Sequence, residues 1–244
     1  MHTHSDRTSA SVPTLSFVVP AYNEERLLGA TLESIHAAAR PLGIAYEIVV
    51  ADDASTDATA AIAEAAGARV VGVENRKISA TRNAGAKAAA GERLIFVDAD
   101  TRVNPAVVAA AMRAMDQGIV GGGAGVGLDG DAPRWGRILV ALTAFVMRNL
   151  NLAAGCFVYC TREAFEVVGG FDERHYAAEE VVISRALQRQ GRFVVLREAV
   201  VTSPRKLYLH TPWSMLVTGI KLVLRGTKGV QERRHTDFWY DGKR

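Results

Sequence analysis

Apolar residues follow two alternating rhythms through the first half of the chain. Short β-rich runs at Leu15–Val19, Glu47–Ala51, Arg69–Val73 and Leu94–Val97 read as strands, near-continuously apolar as in a parallel sheet covered by helices. Between them, apolar residues recur about once per helical turn. Leu27, Leu28, Leu32 and Ile35 mark a first helix, and Ala-rich helices follow at Thr59–Ala66 and Ser79–Ala90. A fourth, Ala106–Met115, follows Pro105, which suits a first helical position. Pro20 is expected to end the first strand because it cannot donate a ladder hydrogen bond. Ser55 or Thr56 is expected to cap the second helix, with Asp57 favoured by the helix dipole. This strand–helix alternation predicts a mostly parallel sheet covered by helices. The second half is less regular. Strands are expected at Ile119–Val126, Cys156–Cys160, near Phe193–Leu196 and at Val200–Thr202. Helices are expected at Trp135–Leu150, Arg162–Val168 and about Ala178–Gln190. No repeat, low-complexity segment or clear linker divides the chain.

The polar clusters fall where the strands end: Asn23-Glu24, Asp52-Asp53 and Asp98-Ala99-Asp100. In open α/β sheets that edge is where ligands bind. Asp98 and Asp100 lie two apart, so in extended backbone both side chains face one way. Neighbouring carboxylates repel unless a cation neutralises them, and Mg2+ or Mn2+ binds through one or two carboxylates plus substrate phosphates. A capped turn before Pro105 accounts for the triplet equally well. Asp52 and Asp53 could accept hydrogen bonds from a base or from ribose hydroxyls. Arg76, Lys77 and Arg82 surround a helix N-terminus, a combination that favours phosphate but also suits a solvated helix face.

Composition changes this picture little. The 244 residues are 49% hydrophobic and 23% charged, with a formal charge of +3, as in ordinary globular proteins and unlike disordered ones. The charge is uneven: Lys221 to Arg244 holds seven basic residues against three acids, leaving a slightly acidic body and giving no hint of nucleic-acid binding. Two cysteines, Cys156 and Cys160, cannot form a disulfide framework or a zinc site and read as small buried hydrophobes. Residues 1–13 are polar and read as a loose tail with no signal peptide. No uninterrupted apolar run is long enough to span a membrane, so a cytoplasmic protein is expected.

Taken in order, the motifs resemble the family 2 glycosyltransferases of the GT-A fold. They are Val18-Val19-Pro20-Ala21-Tyr22-Asn23-Glu24-Glu25, Asp52 to Asp57, Arg82-Asn83-Ala84-Gly85, the D-x-D triplet Asp98-Ala99-Asp100, Gly169-Gly170-Phe171-Asp172-Glu173, and Glu179-Glu180 with Ser184 to Leu187. The resemblance implies a GT-A domain over 14–204 and a C-terminal appendage over 205–244. It implies metal-dependent, inverting transfer of a sugar from a nucleotide-diphosphate-sugar donor to a hydroxyl acceptor. The turn Pro20, Ala21, Tyr22 and Glu24, with Asp52 or Asp53, would hold the base and ribose. Arg82 would approach the phosphates or base, Asp98 would face the ribose or sugar, and Asp100, with Asp98 beside it, would bind the divalent cation. An inverting mechanism needs one base on the acceptor hydroxyl. In the family that base is the second residue of a Glu-Asp pair, which points to Glu180. Having Glu there instead of Asp leaves Glu179 as the alternative, and the helix dipole alone would also favour both acids.

Other features carry less. Gly125 to Gly130 fits G-x-G-x-x-G, but Pro133 interrupts any following helix, so it reads as a strand end and turn. His175 or His210 could add a metal ligand. Residues 212–228 pattern as an amphipathic helix with a basic face. It would either pack on the domain or lie at the inner face of an anionic membrane, near a lipid-linked acceptor. The Q-x-x-R-W signature of processive members is absent from this region. Two other readings compete. A sugar nucleotidyltransferase would need a Gly-rich basic loop after the first strand, where Ala21-Tyr22-Asn23-Glu24-Glu25 stands instead. A non-catalytic nucleotide-sugar-binding protein is left some room by the Glu-Glu departure.

Overall fold

The computed structural model describes residues 13–130, 132–174 and 179–205. Eight strands form one mixed sheet in the order β3-β2-β1-β4-β7-β6-β8-β5. They are β1 (Leu15–Ala21), β2 (Tyr46–Asp52), β3 (Arg69–Gly72), β4 (Arg93–Val97), β5 (Thr101–Arg102), β6 (Gly121–Leu128), β7 (Phe157–Thr161) and β8 (Phe193–Thr202). The helices are α1 (Leu28–Ala39), α2 (Thr59–Ala65), α3 (Ile78–Ala88), α4 (Pro105–Asp116), α5 (Arg134–Asn149), α6 (Arg162–Val167) and α7 (Glu179–Gln188). The first four strands are parallel, as their alternation with helices predicts. β7 then runs antiparallel to both β4 and β6, while β8 pairs parallel to β6 and antiparallel to β5.

Apolar residues on both faces of the sheet explain why it is covered on both sides. Phe17, Val19, Ile48 and Val50 pack into one cluster with α1 and α4. Their neighbours Val18, Val49, Leu94 and Phe96 pack into the other with Phe165 and Phe171. Alternate residues of one strand thus serve opposite layers.

Three local expectations change, and one strand was not expected. β1 runs through Pro20 to Ala21. The Asp53 N–H donates to the Ala21 carbonyl (2.8 Å), so Ala21 faces β2 and Pro20 faces the β4 side. Pairing with β4 has stopped at Val18, so the missing donor of Pro20 interrupts no ladder. Neither Ser55 nor Thr56 caps α2. Asp57 accepts from the Thr59 N–H (3.0 Å), while Ser55 bonds back to Asp52. The two short strands expected after Gly191 are one strand, with its register irregularity opposite Gly123–Gly125. Two-residue β5 is too short to leave a periodic signature. Gly125–Gly130 is the strand end and turn expected, with Gly130 in the left-handed region at φ +58°. Cys160 is buried and Cys156 half-buried, and neither is in a disulfide. The amphipathic segment 212–228, His175 and His210 lie outside the described residues.

Close packing of α3 on the sheet sets up the site. A Cβ on Gly85 would stand 2.5 Å from Val18 Cγ1, so only glycine lets the helix lie this near β1. Arg82, one turn earlier on the same face, is therefore carried under the ends of the strands.

Candidate active site

Because β1, β2 and β4 are parallel, Tyr22–Glu24, Asp52–Asp53 and Asp98–Asp100 emerge along one edge. Asn23 takes φ +52° there, and its side chain accepts from the Thr56 N–H (2.9 Å), stitching the first turn to the second. The Arg76 guanidinium lies 4.5 Å from the centre of the Tyr22 ring. Asp53 Oδ1 accepts from the Asn75 and Arg76 amides (2.6 and 3.0 Å) and Oδ2 from the Thr81 hydroxyl (3.1 Å), ordering the turn into α3. Asp52 Oδ1 accepts from the Ser55 amide (3.3 Å) and hydroxyl. The paired acids therefore shape the loops in addition to lining the edge.

Arg82 is the hub. Its side chain is 1% exposed, a placement an arginine tolerates only when its charge is paired; Nε is left without a hydrogen-bond partner among the described residues. Nη1 donates to Glu179 Oε1 (2.8 Å), and Nη2 donates to Asp98 Oδ1 (2.7 Å) and to the Gly155 carbonyl (2.8 Å). The Phe171 ring lies 5.2 Å beneath the guanidinium. Burial opposes its charge, but Asp98 and Glu179 outweigh that and raise its pKa. The adjacent Asn83 explains a second pair of motifs. Its amide donates to the Phe171 carbonyl (2.9 Å) and accepts from the Phe171 N–H (2.9 Å). Gly170, at φ +75°, is where a Cβ would strike that amide. Arg82-Asn83 and Gly170-Phe171 thus form one lock between distant stretches of chain.

Glu179 and Glu180 open α7. Glu179 is buried against Arg82, whereas Glu180 is half-buried beside Gly155, whose Cα could carry a Cβ only 3.6 Å from Glu180 Cδ. Burial, then the neighbouring charge of Glu179, pushes the Glu180 carboxyl up to about 8. An acid held there takes a proton readily near neutral pH, the property a general base needs.

Sequence reasoning missed Arg205. It donates to both carboxylate oxygens of Glu24 (2.7 and 2.7 Å) and pairs with Asp100 Oδ2 (2.9 Å). Grouped by sequence with the C-terminal appendage, it belongs spatially to the D-x-D end of the site. No local pattern could reveal it, because its partner Glu24 is 181 residues away. The structure thus brings Asp98, Asp100, Glu179, Glu180, Glu24 and Arg82 to one edge. Tyr22, Asp52 and Asp53 stand on the neighbouring turns.

Five carboxyl groups at that edge face the two guanidiniums of Arg82 and Arg205, leaving an excess of acids and oxygen donors only. That suits a hard divalent cation. Among the described residues, no three His, Cys, Asp or Glu side chains gather into a ready metal cage. The donor set therefore fits a cation that takes its remaining ligands from substrate phosphates and water.

The sequence profile described as Glycosyl transferase family 2 matches residues 16–169. An undecaprenyl-phosphate 4-deoxy-4-formamido-L-arabinose transferase from Pseudomonas paraeruginosa is 33% identical over 165 residues, covering 63% of this chain and 48% of that protein. The chain thus spans about half the length of the curated relatives it matches. Among solved structures, mannosyl-3-phosphoglycerate synthase from Rubrobacter xylanophilus superposes with a TM-score of 0.63 at 19% identity, over 95% of this chain and 77% of that one. Glucosyl-3-phosphoglycerate synthase from Mycobacterium tuberculosis, in complex with Mn2+ and uridine-diphosphate-glucose, gives 0.58 at 23% identity, over 87% and 77%. The sheet, its motif-bearing edge and these likenesses agree: the chain has the GT-A fold and belongs to glycosyl transferase family 2.

Proposed function

We propose that the protein transfers a sugar from a nucleotide-diphosphate-sugar to a hydroxyl acceptor carried on a lipid, with inversion at the anomeric carbon. The observation that carries this is the reach of one guanidinium. Arg82 holds Asp98 of the D-x-D triplet and Glu179 of the acidic pair within hydrogen-bond distance of the same side chain. Donor-side and acceptor-side carboxylates therefore share one site.

Pro20, Ala21, Tyr22 and Glu24, with Asp52 and Asp53, frame the space for the nucleoside. Asp100 and Asp98 would hold a divalent cation, whose chemistry is to neutralise the diphosphate as it leaves. Glu180 accepts the proton of the acceptor hydroxyl as that oxygen attacks the anomeric carbon. Glu179 pairs with Arg82, and its charge helps to raise the pKa of the neighbouring Glu180 carboxyl. Mn2+ and uridine-diphosphate-glucose in the solved Mycobacterium tuberculosis structure support the donor and cation reading. The name of the Pseudomonas relative supports a lipid-linked acceptor.

The test combines donor binding and turnover. Uridine and guanosine diphosphate sugars, each with and without Mn2+, should raise the melting temperature; a ligand at 100 times its Kd adds about 2.7 kcal/mol. Glu180→Gln should lower transfer by about 10²–10⁴-fold with donor binding retained. Asp100→Ala should abolish the Mn2+-dependent part of the shift. A full transfer rate in Glu180→Gln would remove Glu180 as the base. Binding of the sugar nucleotides without any turnover would favour a non-catalytic binding protein.

A further inference from the structure

Helix α5 is unusual in presenting apolar side chains outward. Ile138, Leu142 and Phe145 are 69%, 58% and 65% exposed, and Val146 and Leu150 continue the stripe. The spacing i, i+4, i+7, i+8 puts them along one face of the helix. Its inner face is light: Gly136 is the only buried residue among its sixteen, and the helix rests on β6. An exposed stripe of this kind marks an interaction surface. The helix also carries Arg134, Arg137 and Arg148 and no acidic residue; Arg137 donates to the Ala132 and Gly130 carbonyls and Arg148 to the Leu196 carbonyl, so these two stand at the border between the helix and the domain. A helix with apolar residues on one face and a basic border fits an anionic bilayer surface.

We propose that α5 is a membrane-docking helix that lies in the headgroup layer of an anionic bilayer and holds the acceptor side of the site against it. Charge decides between the candidate occupants. Residues 206–244 hold eight basic residues against three acids, so covering α5 with that segment would bring like charges together. A second copy would meet the same three arginines. An anionic lipid surface complements both the stripe and the charge.

The position of α5 also matters. Four residues connect its C-cap, Leu150, to Gly155, so the five Cα-to-Cα steps span at most about 18 Å. Gly155 accepts from Arg82 and stands against Glu180. The chain after α5 is also tied to α7: the Ala153 N–H donates to the Ser184 hydroxyl (3.0 Å), which in turn donates to the Glu180 carbonyl (2.6 Å). A bilayer under α5 would therefore lie close to the proposed base, where a lipid-borne acceptor would present its hydroxyl. That last step rests on the transferase reading; the docking surface itself does not.

The experiment is co-sedimentation of the full chain with vesicles, in the absence of sugar nucleotide. The vesicles are phosphatidylcholine alone or phosphatidylcholine with about one-third phosphatidylglycerol. Wild type should sediment with the anionic vesicles and be released by high salt. The doubly substituted Leu142→Glu/Phe145→Glu should lose binding by about tenfold or more. Both positions are exposed, so far-UV circular dichroism and the melting temperature should be unchanged. Arg134→Glu provides an independent variant and should weaken binding to anionic vesicles alone. Several outcomes overturn the proposal: wild type that stays in the supernatant, or a double variant that binds as wild type does. A double variant that melts well below wild type with vesicle binding intact would show that the chain's own segment covers α5. One that turns a dimer into a monomer with binding intact would show that a second copy does. Sugar-nucleotide thermal shifts, unaffected by these substitutions, report separately on the transferase reading.

Discussion

Replacing Arg82 by methionine keeps the length of the side chain and removes its charge. In the native protein this guanidinium satisfies Glu179, Asp98 and the Gly155 carbonyl. The three partners lose different amounts. Asp98 is 21% exposed and can recover water, whereas Glu179 is 7% exposed and stays beside Glu180. Breaking a buried pair by removing one member costs about 3–5 kcal/mol, because the remaining charge is uncompensated. Most of that should therefore reside in Glu179. Two companions separate charge from geometry. Arg82→Lys keeps the charge but cannot span three acceptors, and should cost about 1–3 kcal/mol. The double variant Arg82→Met/Glu179→Gln removes the stranded charge and should be more stable than Arg82→Met alone. Urea unfolding followed by tryptophan fluorescence and by circular dichroism gives all three values. An Arg82→Met variant within about 1 kcal/mol of wild type would refute the reasoning. So would a double variant less stable than the single one.

Three further outcomes follow from the same geometry. Glu180, with a folded-state pKa raised to about 8 against an ordinary value near 4.3, is favoured protonated; its penalty is absent below about pH 4, grows between the two values and levels above 8. Glu180→Gln should thus gain stability relative to wild type as pH rises from 5 to 8, by on the order of 1–3 kcal/mol given its partial exposure, and a pH-independent difference in unfolding midpoint would count against it. Arg205→Ala removes the guanidinium from Asp100 and Glu24, which are 7% and 5% exposed, and should tighten Mn2+ binding in calorimetry while lowering the stability of the metal-free protein by about 1–3 kcal/mol; unchanged Mn2+ affinity would mean the pair does not oppose the cation. Gly85→Ala pushes α3 off Val18 and should lower stability by about 1–3 kcal/mol, read by thermal unfolding, with Gly72→Ala, which meets nothing, as the control.

Local rhythm explains what could be read from the chain and what could not. β1, β2 and β4 were legible because they are buried on both faces, which makes them continuous apolar runs. Their parallel order follows from the helices between them, and their ends coincide with the acidic clusters. The antiparallel insertion of β7 between β4 and β6 has no such signature, since direction in a sheet is set by the path of the connections and not by the strand. Pro20 misled for a related reason. A proline ends a strand only where a neighbour needs its N–H, and the divergence of β4 after Phe96 is a property of the assembled sheet. Ser55 and Thr56 looked like caps because their type suits one, yet Asp52, closer in space, claims the Ser55 hydroxyl.

The site shows the same division at longer range. Its residue types were visible, because carboxylates at strand ends need partners and arginine near a helix start suggests one. Which carboxylate meets which guanidinium was not visible. Arg82 reaches Glu179 across 97 residues and Arg205 reaches Glu24 across 181. Yet burial makes the first of these pairings close to obligatory once the fold forms. An arginine facing the sheet beside Gly85 has no route to solvent, so the fold is stable only if acceptors arrive around it. Asp98 arrives with β4, Gly155 with the entry to β7, and Glu179 with α7. The charge that would destabilise an isolated α3 thereby fixes the relative positions of three otherwise separate segments. The acidic pair is held against the D-x-D triplet by the cost of leaving Arg82 unpaired.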